Sequence, residues 1–297
     1  MIKIIAIFVG VLIIFGLSAI VVISIENQNS QHITYGITVH NLDSTLINDV
    51  KDLGMTYVRS DVGSPQWQNI YNTAISNHVK ILGIIDYFQF SSHIITLSEW
   101  NATVLSDVQS YPGVTAWEIW NEPDLNGNGF PVINATFYFE MLKSAYTIIH
   151  KYENNPTIIG LGGYNTPFST FQLTWLIQLV SLGFQKYCNA VSVHLYTPVN
   201  ISATYLTQYK ETINLIQNEV SLPLWITETG IGAPQQPTYI PLVYELLIKS
   251  GITHIFWYDL YGESFFWYYN ANFGLLYTNE QPTPGYAVME KFIQEHP

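Results

Sequence analysis

The sequence predicts a (β/α)8 barrel of the α/β class over residues 33–297, preceded by an N-terminal transmembrane helix. Two observations predict it. Eight short, apolar, β-branched runs alternate with segments of helical periodicity, as buried parallel strands and their crossover helices do. Ahead of them lies one long uncharged stretch of a different kind.

That stretch comes first. Lys3 is followed by Ile4–Ile25 without a charge, about 22 residues, enough for a helix to span roughly 30 Å of hydrocarbon. A cleaved signal would have a shorter apolar region and a small-x-small cleavage site, and no clear site of that kind is present. The positive flank places Lys3 inside and the remainder outside. Three Asn-x-Ser/Thr triplets, at Asn101, Asn134 and Asn200, fit an outside location. The expected organisation is an anchor or signal at 1–25, a polar linker at 26–32 and the barrel at 33–297. The expected location is the cell membrane with the barrel outside, or secretion if the first segment is cleaved.

The strands then follow in order. They are "ITYGITVH" (33–40), "MTYVRSD" (55–61), "VKILGIIDY" (79–87) and "VTAWEIWNE" (114–122). "TIIGLGGY" (157–164), "AVSVHLY" (190–196), "PLWITET" (223–229) and "ITHIFWYDL" (252–260) complete the eight. Helices are expected at 43–53, 65–78, 98–110, 134–150, 169–183, 203–220, 238–250 and 285–295. In 203–220, Leu206, Tyr209, Ile213, Ile216 and Val220 fall on one face. Pro241 suits a first turn and Gly251 a stop. A doubly wound open sheet is the runner-up, but no G-x-G-x-x-G follows the first strand. "GLGGYN" at 160–165 lacks that spacing and reads as close backbone packing.

Composition narrows the function. Asp and Glu number 22 against 10 Lys and Arg, and no basic run occurs, so nucleic acid is an unlikely partner on charge grounds. Charged residues are only 11% of the chain, which fits an acidic exterior where carboxylates are largely neutral. The one cysteine, Cys188, reads as a small packed side chain. No spacing such as H-E-x-x-H marks a metal site, and no cofactor motif appears. Nothing in the sequence sets an oligomeric state.

In a barrel the active site lies at the C-terminal ends of the strands. Those ends carry His40, Arg59, Asp61, Asp86, Tyr87, Asn121, Glu122, His194, Tyr196, Glu228, Trp257, Tyr258 and Asp259. Two glutamates stand out, because "TAWEIWNE" and "LPLWITE" are apolar strands that each deliver a carboxylate at the rim. Strands four and seven lie across the barrel, so Glu122 and Glu228 can face one another. Carboxyl groups about 5–5.5 Å apart suit retaining glycoside hydrolysis, in which one attacks the anomeric carbon and the other protonates the leaving oxygen. Mutual repulsion keeps one proton between such a pair. Glu118, four residues earlier on the same face, reads as a buried carboxyl one layer deeper. The aromatic segment "YGESFFWYYN" (261–270), with Trp267, is a sugar-stacking or membrane-facing candidate, and "DLNGNGF" (124–130) a loop shaping the leaving-group side.

These motifs carry a resemblance. "WNEP" at 120–123 and "WITETG" at 225–230 resemble the acid/base and nucleophile strands of the clan A glycoside hydrolases, over roughly residues 33–295. "WEIWNEP" and "VRSDVGSPQWQNI" resemble family 39, with family 5 close behind. The resemblance implies Glu122 as acid/base and Glu228 as nucleophile. It further implies Asn121 on the sugar 2-hydroxyl, Arg59 and Tyr196 on the nucleophile, and His194 beside them. Trp257 would be a platform beneath the sugar and His40 a substrate contact. The implied partner is a carbohydrate and the implied reaction β-glycoside cleavage by double displacement. The rival is a catalytically silent glycan-binding barrel at the cell surface.

Overall fold

A computed structural model describes residues 32–90, 95–125, 133–165, 170–196, 202–262 and 272–297. Eight parallel strands close into a barrel in sequence order. They are β1 (Thr34–Thr38), β2 (Tyr57–Asp61), β3 (Lys80–Ile85), β4 (Ala116–Ile119), β5 (Thr157–Asn165), β6 (Ala190–Tyr196), β7 (Leu224–Gly230) and β8 (His254–Trp257). The helices after them are α1 (Leu46–Asp52), α2 (Trp67–Ser76), α3 (Leu97–Ser110), α4 (Ala135–Tyr152), α5 (Thr170–Leu182), α6 (Ala203–Glu219), α7 (Gln236–Lys249) and α8 (Tyr286–Glu295). The predicted barrel is therefore observed; β1–β4 and β8 are shorter than their apolar runs, while β5, β6 and β7 match theirs to within one residue at each end.

Local chemistry accounts for the helix starts. Thr96 and Glu99 form a reciprocal capping box ahead of α3, and the Asn134 and Ser202 side chains cap α4 and α6. Inside the barrel, Tyr57, Leu82, Ala116, Ile159, Ala190, Trp225 and Phe256 form one apolar layer. β1 gives this layer no side chain. A Cβ on Gly36 would lie 2.4 Å from the Phe256 ring, so the glycine makes room for it. This layer closes the lower barrel and leaves the polar residues above it.

Among the described residues no helix is long and apolar enough to cross a membrane. The expected anchor at 1–25, nearly all of the linker, residues 126–130, Asn200 and residues 263–270 with Trp267 lie outside the described residues. Of the other triplets, Asn134 is exposed at its cap and Asn101 is half-buried in α3. Cys188 packs in the core, where burial pushes its thiol up to about 12, as befits an inert side chain.

One carboxyl gives the fold a pH dependence. Asp107 of α3 is buried, and burial raises its pKa from 3.8 to about 7 against the opposing hydrogen bonds from Gln89 Nε2. Its folded pKa lies above its unfolded one, so the folded state binds the extra proton between these values. The contribution is complete below the unfolded pKa and is lost as pH rises towards about 7. Stability is expected to increase on acidification through this window, by up to about 4 kcal/mol from this residue. Asp107→Asn should flatten that slope in urea melts; an unchanged slope would remove Asp107 as its source.

Candidate active site

The mouth is organised around Arg59, the single arginine of the chain. It projects inward from β2 and is 1% exposed. Its Nε donates to Glu118 Oε2 at 2.6 Å and its Nη1 to Glu228 Oε1 at 2.5 Å. Its Nη2 donates to Asn121 Oδ1 at 3.1 Å and lies 3.4 Å from His194 Nε2. A buried guanidinium needs this much compensation, and its planar fork matches carboxylates. Glu118 is thus the deeper structural carboxylate, held also by Thr227 Oγ1 at 2.8 Å.

Glu228 reaches the mouth because β7 departs from simple alternation. Trp225 points into the barrel, and Thr227 does too, since it bonds Glu118. Strict period-two alternation would turn Glu228 outward. Register shifts against both β6 and β8 fall in this stretch of β7. The resulting bulge brings Glu228 inward as well, a use of bulges common beside active sites. Thr229 then faces α7, where its hydroxyl meets Tyr239 at 2.7 Å.

Glu122 reaches the mouth through a strained turn. It lies past the end of β4, and Trp120 and Glu122 have φ of 68° and 50°. Such conformations cost about 1–3 kcal/mol and persist where surroundings over-determine them. Here the Glu122 N–H donates to Gly162 O at 2.6 Å, and Trp120 is buried against Trp100 and Phe90. The side chain of Glu122 is 21% exposed, against 9% for Glu228.

His194 of β6 joins the two glutamates. Its Nδ1 is 2.9 Å from Glu122 Oε1 and 3.5 Å from Glu228 Oε2. One oxygen from each glutamate and a ring nitrogen of His194 lie within 4.8 Å of one another. Nδ1, facing a carboxylate oxygen that can only accept, is the nitrogen that carries a proton to ionised Glu122. Two carboxylates and an imidazole are also a metal donor set, but Arg59 occupies Glu228 Oε1 and Tyr196 occupies Oε2. That arrangement suits an ionised carboxylate held by donors better than a bound cation.

The electrostatics follow. Burial pushes the pKa of Glu228 up, yet His194, Arg59 and the hydroxyl of Tyr196, which donates at 2.5 Å, outweigh it and hold it below the ordinary value. His194 is affected the other way: burial lowers its pKa, but Glu228 and Glu122 raise it overall.

Gly163 is what lets His194 sit there. The "GLGGY" segment takes left-handed conformations at Leu161, Gly162 and Gly163, and β5 shifts register against β6. A Cβ on Gly163 would lie 2.1 Å from His194 Nε2, at φ of +76°. Gly163→Ala is therefore expected to displace the imidazole and lower kcat by on the order of 10²-fold. Rate assays alongside thermal melts check this; wild-type kinetics would show that the imidazole has room to spare.

The structure brings together Glu122, Glu228, Asn121, Arg59, His194 and Tyr196. His40 stands at the same rim, its Nε2 3.2 Å from Tyr258 Oη and 3.9 Å from Asp259 Oδ2. Trp257 is a correction. Phe256 points into the barrel, so Trp257 points out, is fully buried and donates from Nε1 to Phe273 O at 3.0 Å. Its ring packs on Tyr239 and Tyr244 of α7 and is no sugar platform. The next residue, Tyr258, returns to the mouth, with its ring edge-on to Tyr196 and to His40. Alternation from Phe256 was the signal that identifies it. Asp86 caps the turn at Tyr87–Gln89, and burial with the neighbouring Asp61 charge raises its pKa.

No protein-family model matches the chain, and no curated protein matches it in sequence. Solved structures do match. A family 39 glycoside hydrolase from Bacteroides cellulosilyticus WH2 is 19% identical with a TM-score of 0.65, over 88% of this chain and 63% of that one. The family 39 β-xylosidase of Caulobacter crescentus is 14% identical at TM-score 0.66, over 90% and 71%. A psychrophilic family 10 endo-β-1,4-xylanase is 16% identical at TM-score 0.64, over 88% and 97%. The chain thus spans less than two-thirds of the Bacteroides protein. At these identities the likeness shows the fold, an eight-stranded parallel barrel shared with glycoside hydrolases.

Proposed function

We propose that the chain is a retaining O-glycosyl hydrolase that cleaves β-glycosidic bonds by double displacement. The observation that carries the reading is the pair Glu122 and Glu228, with an oxygen of each within 4.8 Å of one another across the mouth. That gap suits a nucleophile directly beneath the anomeric carbon; inverting enzymes leave room for a water, with carboxyls about 6.5–9.5 Å apart. The names of the neighbours, a β-xylosidase and an endo-β-1,4-xylanase, support the β configuration.

In this reading Glu228, kept ionised by His194, Arg59 and Tyr196, attacks the anomeric carbon and forms a glycosyl ester. Glu122 gives its proton to the departing oxygen. The ester then has no negative charge, and Glu122 takes the proton from the water that releases the sugar. Asn121 accepts from Arg59 through Oδ1, which leaves its amide N–H groups to meet the 2-hydroxyl. His194 fixes the Glu122 carboxylate, and His40 and Tyr258 serve as sugar contacts at the rim. The silent glycan-binding alternative leaves the ionised, triply held Glu228 without a use.

The substrate is an oligo- or polysaccharide outside the cell, with the barrel held at a membrane by residues 1–25. The support for that location is the uncharged run after Lys3. Proton NMR during hydrolysis of an aryl β-glycoside tests the mechanism. Retention gives the β-anomer of the product first; first appearance of the α-anomer would sink the proposal.

A further inference from the structure

The electrostatics of the mouth select for the charge of the sugar, an inference that rests on the hydrolase reading above. Between the strand ends and helix starts of the catalytic face, the described residues are 39–45, 62–66, 86–90, 95–96, 120–125, 133–134, 202, 231–235, 258–262 and 272–285. None of them contains a Lys or Arg. The described lysines sit on helix bodies and last turns, in the turn at Phe184–Tyr187, or at the start of β3, as Lys151, Lys249 and Lys80 illustrate. Among the described residues the one Lys or Arg of the face is Arg59, and its three nitrogens are already directed at Glu118, Glu228, Asn121 and His194, while the His194 ring is itself turned to Glu122 and Glu228.

Carboxyls, by contrast, converge there from five strand ends. Asp61 is 7% exposed, Asp86 0%, Glu228 7% and Asp259 1%, and Glu122 completes the rim. Burial and the neighbouring Asp61 shift Asp86 toward its neutral form, and the charges of the other carboxylates interact far more strongly in this partly desolvated setting than in water. A ligand carboxylate or sulfate would enter a field of its own sign, and among the described residues no ammonium reaches the face and the one guanidinium is already engaged. Like charges brought together at a binding surface are strongly discriminated against. The neutral donors and acceptors of the face, Asn121, Tyr258 and His40, suit hydroxyl groups.

We propose that this active site takes uncharged glycans and rejects anionic ones, uronates and sulfated sugars included. The test gives the full chain matched aryl glycosides: a β-glucoside, the corresponding β-glucuronide and the corresponding β-glucuronamide, and likewise the galacto series. The glucuronamide keeps the shape of the glucuronate and removes its charge. Binding of the parent sugars to Glu228→Gln is measured in parallel. The expected result is cleavage or binding of the neutral glycoside and the amide, with the uronate poorer by about a hundredfold or more. A uronate handled as well as its amide would overturn the inference and leave the hydrolase reading standing. Equal refusal of uronate and amide would make the exclusion one of shape and also overturn it. If nothing in either series, nor the matched aryl β-xyloside and β-mannoside, is cleaved or bound, the hydrolase reading fails and this inference with it.

Discussion

Glu228→Ala is expected to lower kcat/KM by on the order of 10⁴-fold or more while leaving a folded barrel. The barrel survives because Arg59 keeps Glu118 at 2.6 Å, so its charge remains compensated after Glu228 is gone. The chemistry does not survive, because His194 and Tyr196 have no carboxylate of their own to offer the anomeric carbon. Azide supplies the distinguishing readout. In Glu228→Ala it should enter the vacated space and attack from below, giving an α-glycosyl azide. In Glu122→Ala the ester on Glu228 still forms with a good leaving group, and azide should then give the β-glycosyl azide. Exchanged products would reverse the two roles.

Arg59→Met is the second large effect, and here stability is lost first. Removing one partner of a buried ion pair leaves the others uncompensated, at a cost of about 3–5 kcal/mol. Two carboxylates are stranded, Glu118 at 0% exposure and Glu228 at 7%. Adding Glu118→Gln to Arg59→Met should restore part of the stability in urea melts, since one stranded charge is gone. It should not restore activity, since Glu228 still lacks its Arg59 donor. In any such variant that folds, the acid limb of the pH–rate profile should move to higher pH, because Arg59 holds the Glu228 pKa down. A double variant as active as the parent would show that Arg59 serves the fold alone.

Much of this was legible from the chain alone. Eight continuously apolar runs announced a buried parallel barrel, and reading their C-terminal ends located both glutamates, Arg59, Asn121, His194 and Tyr196. Trp257 shows where the sequence pattern runs out. A run of three aromatics fixes that one face is buried and the other lines the mouth, but not which; Phe256 settles the parity only once its place inside the barrel is known. The bulge in β7 was invisible for a related reason. By alternation Glu228 and Thr227 occupy opposite faces, and only backbone geometry brings both inward. The left-handed turn at Glu122 and the clearance of Gly163 for His194 depend on contacts between strands distant in sequence, which "WNEP" and "GLGGY" do not display. Glu118 is the buried, hydrogen-bonded carboxyl that its place in the apolar strand suggested, although Glu122 lies past the end of β4 and not on the same strand face.

The central claim is that Glu228 becomes covalently attached to the sugar. The most direct measurement is to incubate the full chain with a panel of 2-fluoro-glycosyl inactivators, digest it and map the added mass. The account predicts one sugar on the peptide that contains Glu228, released on transfer to an acceptor. A label on Glu122, or intact protein recovered while substrate is turned over with inversion, would contradict it.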